Sequence, residues 1–238
     1  MFSWLPRPVT ERRTCAPGRS NSRCPLKDRA EVSSPTSGRS VGGLSSPFEL
    51  VLFDRVSSRM LTRVVVPDTK DWTWVLEQAC PECGFDASKC EAEDVAGLIR
   101  DNAQVWERFR RNGTIRPGRP NESTWSTLEY ACHVRDVYRL YRTRIECMLT
   151  EDDPLFENWD QDAAAIAHSY EQQAPEVVAA ELAFAAESLA SALDGVSGPS
   201  WLRPGRRSDG ASFSVGTIAR CMIHDPIHHA WDVQKQHS

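Results

Sequence analysis

The sequence predicts an all-α fold, a four-helix bundle carried behind a disordered N-terminal extension. Three observations predict it. Four long stretches repeat apolar residues at the helical period, breaks rich in Pro and Gly separate them, and no run alternates convincingly like a strand. Charge divides the chain as well. Residues 1–66 hold 11 Lys and Arg against 5 Asp and Glu, a net of +6; residues 67–238 hold the other 17 and 28, a net of −11, and together they make the formal −5. A basic tail on an acidic folded body follows, with the boundary between residues 66 and 67.

The tail is dominated by Arg, Ser, Pro and Gly and keeps neither period, so residues 1–66 are expected to be disordered. The arginines would suit a regulatory or nucleic-acid-binding arm. An organelle transit peptide fits less well, because Glu11, Asp28 and Glu31 interrupt the basic pattern. The favoured expectation is a start assigned upstream of the true one, with folding beginning after Met60.

From Asp68, "DTKDWTWVLEQACPECGFDASKC" reads as a short irregular segment. Helical period begins at Glu93, with Val95, Leu98, Ile99, Val105, Trp106 and Phe109 mostly on one stripe. "GTIRPGRPNEST" ends this first helix. The second opens on a capping box, Ser126 with Glu129, and turns Leu128, Ala131, Cys132, Val134, Tyr138, Ile145 and Met148 toward a core. After the loop "EDDPLFENWDQD" and a short helix in "AAAIAHSYEQ", the third long helix runs from Pro175 to about Gly195. The loop "SGPSWLRPGRRSDGASF" has room for a hairpin, and the fourth helix starts at Ser214.

Several classes are excluded. No run of apolar residues is long enough to span a membrane, and the N-terminus lacks a secretory apolar core. The eight cysteines are therefore expected as reduced thiols or metal ligands in a cytoplasmic protein. The acidic body argues against nucleic acid as its main partner.

The chemistry concentrates near the C-terminus, where "HDPIHH" packs three of the six histidines into positions 224–229. His224 and His228 are four apart and share one helix face, a geometry in which two imidazoles hold one ion. Pro226 between them costs a regular helix interior roughly 3 kcal/mol, which suggests a kink or a restart at His224 or Asp225. His229 points about 100° away from His228 and is expected outside the pair's site, as an outer partner or on the surface. His133, amid apolar neighbours in "EYACHVRDV", is the candidate third ligand; a lone mid-helix histidine is more often a core or surface residue than a ligand. Glu129, Asp136 and Asp225 are candidates to fix the rings' tautomers by accepting their other hydrogen. Arg206, Arg207 and Asp209 would touch substrate or simply be solvated.

"WSTLEYACHVRDV" followed by "HDPIHHAWDV" resembles the DinB-like superfamily, which includes the mycothiol-dependent maleylpyruvate isomerases and related thiol S-transferases. The resemblance covers roughly residues 68–233. It implies a four-helix bundle with a divalent metal, zinc or nickel, held by one residue of the second helix and a pair four apart on the last. Those positions correspond to His133, His224 and His228. The activity implied is thiol transfer by a low-molecular-weight thiol, or a related metal-hydroxide reaction, on a small-molecule substrate. A homodimer is compatible with the bundle. The alternative is a non-catalytic metal-binding protein, and an open coordination position beside a concave pocket separates the two.

Cys80 and Cys83 in "CPECGFDASKC" form a CxxC knuckle suited to a second zinc or to a thiol pair. Cys90 is the candidate third ligand there, with no fourth evident. Cys132, Cys147 and Cys221 fall on helices and read as small buried hydrophobes.

Overall fold

A bundle needs each long helix to bury one stripe against two neighbours. In a computed structural model, which describes residues 72–237, four long helices do so. They are α1 (Val95–Arg111), α2 (Thr127–Thr150), α4 (Pro175–Asp194) and α5 (Val215–Lys235), with a short α3 (Gln161–Ala167) between the second and third. The expectations for residues 1–66 and for Met60 fall outside the described residues.

The expected caps are present. Ser126 Oγ accepts from Glu129 N while the Glu129 carboxylate accepts from Ser126 N, and Ser214 and Thr217 form the equivalent box at the start of α5. Every residue assigned to the core stripe of α2 is buried. On α1, Val95, Ile99 and Trp106 are buried, whereas Leu98, Val105 and Phe109 are half-buried.

The four helices do not pack in chain order. Both α1 and α2 lie chiefly against α4 and α5, so α1 sits diagonally across from α2 and α4 diagonally across from α5, while α2 and α4 are direct neighbours. Long connections are therefore required, and they supply the walls of the functional region. Helix α4 can serve two partners because Ala179, Ala185, Ala186 and Ala190 alternate with Val178, Leu182, Leu189 and Leu193 in its buried surface.

Three very short strands close one end. β1 (Leu155–Phe156) runs parallel to β2 (Pro204–Arg207), which forms an antiparallel hairpin with β3 (Ser212–Ser214). Gly210, at φ +98°, makes the hairpin turn, a conformation only glycine enters freely. The hairpin carries Arg207 and Asp209 toward the bundle, where they pair at 2.7 Å.

Pro226 does not restart the last helix, which is one α-helix from Val215 to Lys235. A side chain of α1 reaches its backbone. Asn102 of α1 donates Nδ2–H to the Pro226 carbonyl (2.9 Å) and accepts from the Tyr138 hydroxyl of α2 (2.7 Å), so one buried amide joins three helices.

Candidate metal centre

Successive residues on an α-helix turn by about 100°, so α5 carries two pairs spaced by four, one residue out of step. His224 and His228 form one pair; Asp225 and His229 form the other. The structure sends them to different partners. Cys80, Cys83, His224 and His228 gather into one group of ligand-capable side chains, and His133, Asp225 and His229 into another.

The expected set of His133, His224 and His228 is thus divided. His133 lies with Asp225, expected as an outer partner, and with His229, which stands outside the pair's group as expected. The remaining outer candidates are occupied elsewhere. Glu129 is held by Arg119 (2.7 Å) and its own capping box. Asp136 is held by Arg135 (2.8 Å) and the Tyr170 hydroxyl (2.7 Å).

In the second group, His133 Nε2 lies 3.1 and 3.4 Å from the two Asp225 oxygens, and His229 Nε2 lies 3.7 Å from Asp225 Oδ1. Nδ1 of His229 faces Asp232 Oδ2 at 3.0 Å. A neutral His229 that donates this hydrogen to Asp232 keeps its Nε2 lone pair directed at Asp225 and His133. Asp232 was missed in the sequence reading, although its i,i+3 spacing from His229 was readable. His133 is fully buried, stacked on Trp159 (centroids 5.3 Å, 15°) and packed against Trp125 at 5.2 Å. Burial opposes ionisation of Asp225, but the neighbouring His133 and His229 rings hold its carboxyl well below the usual range.

Asp225 and His229 open onto a cavity of about 560 Å³, the size of a small-molecule site. Trp159 and Asn158 of the loop before α3, Tyr141 and Arg144 of α2, and Arg207 of the hairpin line it. Arg207 was a substrate-contact candidate; Arg144 was not. Arg144 is buried, spans the Tyr141 and Phe156 rings, and donates to the Glu157 carbonyl.

The first group is mostly buried, although His224 and His228 also border the same cavity. Cys80, His224 and His228 are buried and Cys83 half-buried. Cys80 Sγ lies 3.6 Å from His228 Nδ1. Burial, then the neighbouring His228, hold His224 down at about 4, and burial likewise lowers His228, so both rings are neutral at pH 7. Burial pushes the Cys83 thiol up to about 11. Cys90, the expected third ligand of the knuckle, is not in the group; its Sγ points at the Glu91 carbonyl. Among the helical cysteines, Cys132 and Cys147 are buried and Cys221 half-buried.

An all-α bundle whose second and last helices converge on ligand-capable side chains defines a recognisable class, and comparison with known proteins agrees. The chain belongs to the DinB superfamily, whose family model matches residues 52–233. It is similar in structure to YfiT from Bacillus subtilis, a probable metal-dependent hydrolase with an unusual four-helix bundle topology. That likeness has a TM-score of 0.54 at 12% identity, over 61% of this chain and 87% of YfiT, and it establishes the fold. No curated protein matches the chain. No helix among the described residues is long and apolar enough to cross a membrane.

Proposed function

We propose that the chain is a metal-dependent enzyme whose divalent ion is held by His133, Asp225 and His229 at the wall of the 560 Å³ cavity. The observation that carries this reading is the convergence of three donors from two helices, with no fourth protein ligand in the group among the described residues. Two imidazoles and one carboxylate are a common donor set of catalytic zinc, which keeps a position open for water or substrate. Zinc and nickel both suit the set, and the bound ion supplies Lewis acidity that makes a coordinated water or low-molecular-weight thiol a nucleophile near neutral pH.

The chain's own residues do the rest. Asp232 orients His229, and the Trp125 and Trp159 rings hold His133 in a dry wall. Arg144 and Arg207 bring positive charge to the cavity, where they suit a small substrate with an anionic or strongly polar group. Thiol transfer and hydrolysis both fit this arrangement, and a cytoplasmic location, where a thiol cosubstrate stays reduced, belongs to the same proposal.

The test is metal titration of the parent, His133→Ala and Asp225→Asn, followed by assays on ester, amide and thiol-acceptor panels. Metal-dependent turnover in the parent, lost in both variants with helicity intact, is the expected result. Metal uptake unchanged in both variants overturns the site, and tight binding without turnover on any panel leaves the non-catalytic alternative.

A further inference from the structure

We infer that Cys80, Cys83, His224 and His228 form a second, structural zinc site that pins the N-terminal segment of the domain to the last helix. This stands independently of the reading above, because it uses none of His133, Asp225 and His229.

Distance is the first support. With Zn–S near 2.3 Å and Zn–N near 2.0–2.1 Å, the S···N edge of a tetrahedral site is about 3.5–3.6 Å. Cys80 Sγ and His228 Nδ1 are 3.6 Å apart, though 148 residues separate them in the chain. All four donors offer an atom within 4.8 Å of every other.

An orphaned atom is the second. His224 Nε2 is buried without a hydrogen-bond partner among the described residues, which costs about 1–3 kcal/mol unless something accepts its lone pair or hydrogen. A metal ion in this group does so.

The backbone is the third. Cys80 N–H donates to the Phe85 carbonyl and Gly84 N–H to the Cys80 carbonyl, both at 2.9 Å. Gly84 sits at φ +75°, so the CxxC turn is wound into a knuckle that brings both sulfurs to one side. Around the group stand Trp72, 5.6 Å from the His224 ring and 6.0 Å from His228, with Phe85 at 6.5 Å from His224 and Trp231 at 5.4 Å from His228. These rings pack around the two histidines, which still border the 560 Å³ cavity on one side. Two thiolates and two imidazoles complete a closed tetrahedron, which holds structure and leaves no position for substrate.

The consequence is mechanical. The short turns at Trp72–Leu76 and Ala87–Lys89 pack on α5, yet Val75 and Ala87 are their only fully buried residues. Zinc there would fasten the segment and fix the rotation of α5 at His224 and His228. Asp225 and His229, each one residue further on, would be held facing His133.

Cobalt(II) substituted into the full-length protein tests this, because thiolate ligands give a charge-transfer band that nitrogen and oxygen ligands do not. The band is expected in the parent, retained in His133→Ala, and abolished in Cys80→Ser/Cys83→Ser. Zinc content should be about two equivalents in the parent and about one in each variant. A parent without the band, or a double-serine variant that keeps it, overturns the inference. Should the serine variant fail to fold, His228→Cys preserves four ligands and adds a third thiolate. It should raise the band by about half if His228 is a ligand; an unchanged band counts against the site.

Discussion

Asp232 shows how one carboxylate sets the chemistry of a neighbour. At 3.0 Å it faces Nδ1 of His229, which selects the tautomer whose Nε2 is a lone-pair donor. Asp232→Ala removes that orientation without touching His133 or Asp225. Metal affinity of the His133, Asp225 and His229 group is expected to fall ten- to a hundredfold, measured by competition against a chromogenic chelator. His229 lies outside the group of His224 and His228, as its adjacency to His228 implies; its spacing of four from Asp225 was the relation left unread.

At the scale of elements, the start of α2 and the hairpin are each held by a specific side-chain contact. Burial alone would raise the Glu129 carboxyl, but the Arg119 guanidinium and Ser126 hold it below the ordinary value. A depressed folded value means that the unfolded chain takes up this proton first as pH falls. The contribution to stability is therefore complete above the unfolded carboxyl's value, about 4.3, and is lost as pH drops through the lower folded value. Urea melts between neutral and acid pH should show this decline, and Glu129→Gln should flatten it while lowering stability at neutral pH. The hairpin is sensitive in another way. A Cβ on Gly205 would stand 2.7 Å from Met148 Cγ and 3.0 Å from its Sδ and Cε, and Met148 is fully buried. Gly205→Ala should cost about 1–3 kcal/mol in chemical denaturation, because the methionine must shift within a packed core.

Over the whole molecule, the diagonal placement of α1 and α2 makes the polar contacts that join them through α5 unusually informative. Asn102, Tyr138 and the Pro226 carbonyl lie on α1, α2 and α5, and all three residues are buried. Tyr138→Phe leaves the Asn102 oxygen without its donor, so a loss of about 1–3 kcal/mol is expected, read from the denaturation midpoint with unchanged slope. A much smaller loss would mean that the amide finds another partner.

The helices, their caps and the buried stripe of α2 could be read from the chain because they depend on local periodicity and on side chains within one turn of each other. Ser126 with Glu129, Pro175 and Ser214 are local signals in this sense, and the structure puts each where its spacing implies. The presence of histidines and a cysteine knuckle was equally legible. Which of them meet was not. His224 and Asp225 are neighbours in sequence, yet a turn of about 100° directs them into separate groups. The partners they reach, Cys80 on one side and His133 on the other, are chosen by the packing of α5 between the N-terminal segment and α2. Spacing along one helix decides which residues share a face; only the arrangement of the other elements around that helix decides what each face meets.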